Sequence, residues 1–239
     1  MRRILPLSLF LVRDLFLSLS GVVVPAAGLT FYLIAFRYGM DQAQFTTVAG
    51  VVLGAISLLT ALLLAGRAGR ASFFPFVARL HHRGELLVAI IVASVAVTCV
   101  VAVLITAAAL LRHQLSLDWP SALWIVLTWL ALWILTAALA LPLSGLTSRE
   151  GSHLLAYVLV TTVLVANDRR WLLEQNGLPW LSRAITLLLW PTTTLLAQAS
   201  AGVHDRLYFL ALAATLGYAL ILFVLALELF EHKDLIWAE

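Results

Sequence analysis

The feature that most constrains this chain is a series of apolar runs, each comparable in length to the thickness of a lipid bilayer. Residues 86–111, for example, contain no charged side chain. A transmembrane helix needs about 20 mostly apolar residues. Of the whole sequence, 63% is hydrophobic and 11% is charged, whereas soluble domains have about 45–50% and about 25%. The sequence therefore predicts an all-α polytopic membrane protein and excludes a water-soluble globule.

Charge clusters divide the chain, which we expect to form a single transmembrane domain over residues 1–239, into six predicted spans. These are residues 15–35, 45–65, 86–111, 121–146, 154–166 and 207–229. Between the last two spans, Pro191 is expected to break a short apolar run, residues 184–199, and three threonines follow it. Proline and polar residues are tolerated at membrane depth where protein or a water-filled cavity covers them. We therefore predict a re-entrant or interfacial hairpin over residues 171–199.

An apolar stretch near the N-terminus is bracketed by Arg2 and Arg3 on one side and by Arg13 and Asp14 on the other. Joining it to the first span would place charges inside a long helix, at a cost of about 2.5–3.5 kcal/mol each. A helix lying in the membrane surface avoids that cost. Residues 1–14 are therefore predicted to form an interfacial helix, with a frayed tail as the alternative.

The distribution of basic residues predicts the orientation in the cell membrane, because loops rich in Lys and Arg stay on the cytoplasmic side. With the N-terminus inside, the majority of them lie on the cytoplasmic side: Arg2, Arg3, Arg13, Arg67, Arg70, Arg79, Arg83, Arg149 and Lys233. Both termini are therefore expected to be cytoplasmic. Because the arginines lie beside predicted spans, no nucleic-acid partner is expected.

No pattern of catalytic residues occurs in the sequence. Both the H-E-x-x-H motif and the G-x-S-x-G nucleophile elbow are missing. The one cysteine, Cys99, excludes a disulfide framework. The one lysine, Lys233, lies in no Walker A motif. We therefore expect a chain that is not an enzyme and holds no cofactor, although haem ligation by His153 or His204 is an alternative.

Residues 67–85, between the second and third spans, combine arginines with aromatic residues. Phe73 and Phe74 lie among these arginines, and Arg79 and Arg83 share one helical face. Arginine and aromatic residues are enriched at the cores of protein interfaces. The segment is therefore predicted to bind a cytoplasmic protein, and a helix lying on lipid headgroups is the alternative.

The whole layout resembles the permease subunit of ABC-2 type exporters. The resemblance rests on the order of interfacial helix, two spans, Arg/Phe-rich segment ending in Arg83-Gly84-Glu85, two more spans, a turn at residues 147–152, and a final pair around the hairpin. It implies that residues 67–85 form a coupling segment that docks on a separate cytoplasmic ABC ATPase, which binds ATP and Mg. It also implies a second permease copy or a paralogue as partner. The implied ATPase contacts are Arg70, Phe73, Phe74, Pro75, Arg79, Arg83 and Glu85.

Several hydroxyl-bearing residues are candidates for lining a translocation path. They are Thr46, Thr47, Ser57, Tyr157, Thr161 and Thr162. Ser and Thr hydroxyls more often bond back to their own helix, which is the alternative. In the same second span, Gly50 and Gly54 permit the close approach of another helix, either within the subunit or at a dimer seam.

The leading hypothesis is a permease subunit of an ATP-driven exporter. A second is a non-catalytic membrane subunit of a larger energy-transducing complex. A third is a haem-export permease of cytochrome maturation, which is weakened because no tryptophan-rich motif with paired histidines occurs.

Overall fold

The computed structural model describes residues 4–69, 84–115, 119–147, 160 and 179–232. Its main helices are α1 (Ile4–Phe16), α2 (Val23–Ala35), α3 (Gln42–Ala68), α4 (Gly84–Leu111), α5 (Trp119–Leu143), α6 (Pro179–Ser200) and α7 (Arg206–Glu231). Over these ranges the architecture is all-α, as predicted.

Four of the helices, α3, α4, α5 and α7, are long and apolar enough to cross a membrane. They correspond to the predicted spans 45–65, 86–111, 121–146 and 207–229. The chain is therefore a multi-pass membrane protein. Of the predicted span 154–166, only Val160 is among the described residues. Of the predicted turn at residues 147–152, only Thr147 is described.

The prediction of one helix over residues 15–35 is wrong. α1 ends at Phe16, a 3-10 turn covers Leu19–Val22, and α2 follows with 13 residues. The Ser18 hydroxyl donates to the carbonyl of Leu15 at 2.6 Å, and such bonds compete with continuation of a helix. Gly21 lies so close to α1 that a Cβ there would be 2.8 Å from the Phe16 Cα. α2 alone is therefore shorter than the roughly 20 residues of a complete crossing.

α1 is a helix separate from α2, and one of its faces packs on the protein. Leu11 and Leu15 are buried in the same core cluster as Leu86 of α4. On the opposite face Leu9 is 63% exposed. The location of residues 1–14 at the membrane surface stays a prediction.

The bundle has two ends, and the helices run alternately between them. At the first, which we call the Glu85 end, Ala68 of α3 and Phe230 of α7 share a core cluster with the start of α4. At the second, the Gln114 end, the Met40 amide donates to the Gln114 carbonyl. Tyr32 of α2 also reaches Gln114, with 3.0 Å between the hydroxyl and Oε1. α1 and the last turn of α7 therefore lie at the same end, and α2 leads toward the other end, where Tyr32 contacts Gln114.

The prediction that Pro191 interrupts the segment before the last span is also wrong, because α6 is one helix through it. The Thr192 and Thr193 hydroxyls donate to the Leu189 carbonyl at 2.9 and 3.0 Å. The carbonyl that loses its helical donor at Pro191 is that of Leu187, four residues earlier, so these bonds do not replace the missing one. The predicted hairpin over residues 171–199 would therefore have to turn before Pro179, outside the described residues.

Candidate functional site

The predicted coupling segment connects the last residue of α3 to the first residue of α4, and both lie at the Glu85 end. α3 ends at Ala68, and α4 begins at Gly84. Glu85 is the described member of the predicted contact set. The others lie outside the described residues: Arg70, Phe73, Phe74, Pro75, Arg79 and Arg83. The contact set as a whole stays a prediction.

Glu85 lies in the first turn of α4 and is partly exposed. Its Oε2 is buried and has no hydrogen-bond partner in the described part of the chain. A carboxylate in this position is favoured by the positive end of the helix dipole. The adjacent Gly84 lies against α7, where an added Cβ would be 3.3 Å from the Leu227 Cδ1. The geometry therefore offers a hydrogen-bond acceptor beside the junction of α4 and α7.

An ion pair joins α1 to the end of α3 at the same end of the bundle. Arg67 donates a hydrogen bond from Nε to the Oδ2 of Asp14 at 2.6 Å, and its Nη2 lies 2.5 Å from the same oxygen. The side chains are 15% and 31% exposed. Sequence reasoning placed both residues beside the membrane but did not pair them, because 53 positions separate them.

Two of the predicted path residues, Thr46 and Thr47, lie in a π-helical stretch, Phe45–Ala49, near the start of α3. Their hydroxyls donate to carbonyls of the preceding turn, at 2.8 Å to Gln42 and 2.7 Å to Ala43. Thr46 is fully buried, and its carbonyl accepts a bond of 3.0 Å from the indole Nε1 of Trp129. In this conformation the two hydroxyls satisfy their own helix, which is the alternative that the sequence left open.

The third path candidate, Ser57, lies in a buried polar contact among α3, α4 and α5. Its Oγ donates to the Trp133 carbonyl at 3.0 Å and lies 3.2 Å from the Ser94 Oγ. The Ser94 hydroxyl donates to the Ser57 carbonyl at 2.7 Å. Both serines are fully buried. Ser57 therefore joins three helices in this conformation, and its role in a path stays a prediction.

The two glycines of α3 pack against other helices of the same subunit. A Cβ on Gly50 would lie 2.9 Å from the Leu196 Cδ2 and 3.0 Å from the Trp129 Nε1. A Cβ on Gly54 would lie 3.6 Å from the Thr136 Cγ2. The structure therefore places these glycines in internal packing.

The remaining path candidates, Tyr157, Thr161 and Thr162, and the alternative haem ligand His153 lie outside the described residues. The other alternative ligand, His204, stacks on Trp124 at the Gln114 end, with 4.4 Å between ring centroids. Its Nε2 is buried without a hydrogen-bond partner in the ranges described. Those ranges contain no group of three or more His, Cys, Asp or Glu side chains that could hold a metal ion.

Sequence reasoning missed a buried hydrogen bond next to His204. The hydroxyls of Thr128 on α5 and Tyr208 on α7 lie 3.0 Å apart, and both residues are fully buried. In the sequence, Asp205 was the one residue that could have indicated where α7 begins, because aspartate is a preferred N-cap residue. Its carboxylate accepts hydrogen bonds from the backbone amides of Leu207 and Tyr208. That cap fixes the start of α7 and therefore the position of Tyr208 against α5.

No family model, curated protein or solved structure matches this chain.

Proposed function

We propose that this chain is the permease subunit of an ATP-driven exporter of the ABC-2 type, and that it works with a separate cytoplasmic ATPase. In this account residues 67–85 form the surface that binds the ATPase. Both termini and the Glu85 end face the cytoplasm. A second permease copy or a paralogue completes the transporter.

One observation carries the proposal: the two helices that flank the coupling segment are held to each other and to α1. Ser57 of α3 and Ser94 of α4 are joined by the bond from the Ser94 hydroxyl to the Ser57 carbonyl. The ion pair of Arg67 with Asp14 fixes the end of α3 to α1. A displacement of residues 70–83 by a partner would therefore act on α1, α3 and α4 together.

The second support is the chemistry of the junction itself. The Glu85 Oε2 offers a buried acceptor without a partner in the described chain, next to where the coupling segment ends. A buried carboxylate oxygen is costly to leave unpaired. An arginine of the ATPase or of the coupling segment would satisfy it when the complex forms.

The experiment is purification of the tagged chain from the membranes of its source cells, followed by photo-crosslinking to an azido analogue of ATP. We expect a second polypeptide to co-purify and to take up the label, while this chain stays unlabelled. The purified chain alone should hydrolyse no ATP, because its sequence has no Walker A motif.

Two results would contradict the proposal. Labelling or hydrolysis by the chain alone would place a nucleotide site within it. Recovery of a stable multi-subunit complex without an ATP-binding member would instead favour the second hypothesis from the sequence, a non-catalytic subunit of a larger complex.

A further inference from the structure

α6 and α7 are joined by a tight turn at the Gln114 end. Gly202 has a φ of +69°, and the Val203 amide donates to the Gln198 carbonyl at 3.0 Å. Both features are those of a Schellman motif, which ends a helix at a left-handed residue. Asp205 then caps α7 by accepting a hydrogen bond from the Leu207 amide. Two helices joined by such a short loop lie side by side and run in opposite directions, and α7 is the main neighbour of α6 in the described chain.

α6 is long enough to extend from this turn to the Glu85 end. Its 22 residues span about 33 Å, whereas the hydrocarbon core of a bilayer is about 30 Å thick. Buried residues recur from its first turn to its last: Ser182, Ile185, Pro191, Leu195 and Ala199. α6 therefore packs on the protein over nearly its whole length, antiparallel to α7, which itself extends to the Glu85 end.

The exposed side of α6 is apolar along most of the helix. Leu187 is 75% exposed and Leu188 is 55% exposed. No charged residue occurs between Arg183 and the end of the helix, and the exposed Thr193 uses its hydroxyl for the Leu189 carbonyl at 3.0 Å. A helix lying in the membrane surface turns a polar or charged face to water. The exposed side of α6 has no such face and therefore fits acyl chains.

The first turn of α6 carries two residues typical of a membrane interface. Trp180 is 66% exposed, and Arg183 is exposed one turn further on. Tryptophan is enriched where membrane and water meet, and the long arginine side chain reaches headgroups while its stem lies among acyl chains. α6 therefore has an interfacial residue type at one end and the tight turn at Gly202 at the other, with an apolar exposed side between them.

We propose that α6 crosses the membrane between the Glu85 end and the Gln114 end, and that its exposed side contacts lipid acyl chains. The sequence did not predict this crossing, because Arg183, Pro191 and three threonines lower the mean hydropathy of the segment. With α6 as a span, α5 ends and α6 begins at the same end of the bundle. Residues 148–178 are too few for two crossings of about 20 residues each, so the predicted span at residues 154–166 does not complete a crossing.

The distribution of basic residues supports this topology. Compared with a crossing at residues 154–166, three arginines move to the Glu85 end: Arg169, Arg170 and Arg183. Of the 15 Lys and Arg residues in the sequence, those left at the Gln114 end are Arg37, Arg112 and Arg206. Loops rich in Lys and Arg stay on the cytoplasmic side. The crossing by α6 therefore gives the two ends a larger difference in basic residues than the sequence alone predicted.

The depth of α6 in a bilayer tests the proposal directly. Single nitroxide labels are attached to Trp180→Cys, Leu188→Cys and Ala197→Cys, all at exposed positions, in a Cys99→Ser background. The intact protein is placed in phosphatidylcholine liposomes, and power-saturation EPR with oxygen and a water-soluble nickel complex measures the depth of each label. If α6 crosses the membrane, the label at position 188 should be deeper than the other two by about 10 Å, the rise of some seven helical residues.

Two other depth profiles would overturn the proposal. Equal depths at the three positions would mean that α6 lies in the membrane surface. A depth that increases steadily from position 197 to position 180 would mean that α6 is re-entrant and begins inside the membrane. The matched control is α7, where labels at Phe209, Leu220 and Leu229, all exposed, should give the profile of a span with position 220 deepest.

Thiol labelling in cells gives an independent test of the same crossing. With a membrane-impermeant reagent, Trp180→Cys and Ala201→Cys should react from opposite sides of the membrane. Reaction of both from the same side would contradict a crossing by α6. If Trp180→Cys reacts from neither side, the depth profile still decides. Neither measurement involves the ATPase, so failure of this inference is distinguishable from failure of the proposed function.

Discussion

The Nε of Arg67 on α3 donates a hydrogen bond of 2.6 Å to the Oδ2 of Asp14 on α1, and the Nη2 of Arg67 lies 2.5 Å from the same oxygen. Both side chains lie at the Glu85 end and are less than a third exposed. The pair connects the N-terminal helix to the helix that leads into the predicted coupling segment. Its strength is therefore expected to affect both the stability of the bundle and the transmission of movement to α1.

Asp14→Asn should destabilise the protein by about 1–2 kcal/mol. This value lies between the 0–1 kcal/mol of exposed ion pairs and the 3–5 kcal/mol lost when one partner of a buried pair is removed. The measurement is thermal unfolding in detergent micelles, read by intrinsic tryptophan fluorescence.

The control is a double-mutant cycle with Arg67→Gln. If the two residues interact, Asp14→Asn should cost clearly less in the Arg67→Gln background. Equal costs in both backgrounds would show that the ion pair does not stabilise the fold.

Gly50 and Gly54 on α3 should respond differently to alanine. Gly50→Ala places a Cβ against Leu196 and against Trp129, whose indole is held by its bond to the Thr46 carbonyl. Overpacking of this kind costs about 1–3 kcal/mol. At Gly54 the Cβ would meet the Thr136 Cγ2 at ordinary contact distance, and alanine favours helix by about 1 kcal/mol relative to glycine.

Thermal unfolding of the two variants in parallel checks this difference. We expect a lower Tm for Gly50→Ala, and an unchanged or higher Tm for Gly54→Ala. The opposite order would mean that Gly50 is not packed as described.

The sequence predicted the apolar helices well, because hydropathy over about 20 residues depends on composition alone. α4, predicted as residues 86–111, occupies Gly84–Leu111. The break between α1 and α2 could not be predicted in this way, since residues 15–35 contain no charged side chain. It depends on the Ser18 hydroxyl bond and on the close contact of Gly21 with α1, which are local geometry rather than hydropathy.

The same reasoning explains the wrong prediction at Pro191. Proline removes a backbone donor, which favours a break. Pro191 is nevertheless buried inside a continuous α6, and packing against neighbouring helices is one reason that membrane helices tolerate proline. The contacts of Ser57 with Ser94 and Trp133 were equally beyond sequence reasoning, because they join residues 37 and 76 positions apart.

Cysteine labelling tests the proposed orientation. In a Cys99→Ser background, a membrane-impermeant thiol reagent applied to intact cells should label Ala201→Cys at the Gln114 end. His232→Cys, at the end of α7, should react only after the membrane is opened. Both positions are exposed in the structure. Labelling of His232→Cys in intact cells, without labelling of Ala201→Cys, would reverse the orientation and move the coupling segment outside.

The central claim is that residues 67–85 bind a separate ATPase, and the most direct measurement is recovery of that ATPase with a Phe73→Ala, Phe74→Ala variant. Truncating buried aromatic anchors typically costs about 2 kcal/mol or more, which is roughly a thirtyfold loss of affinity at about 1.4 kcal/mol per decade. The matched control is Phe209→Ala, Leu210→Ala, because both residues are exposed on α7 at the opposite end. With equal amounts of folded protein in the membrane, we predict that the control recovers the ATPase as the parent chain does and that the Phe73 and Phe74 variant does not. Undiminished recovery by that variant would contradict the account and favour a segment that lies on lipid headgroups.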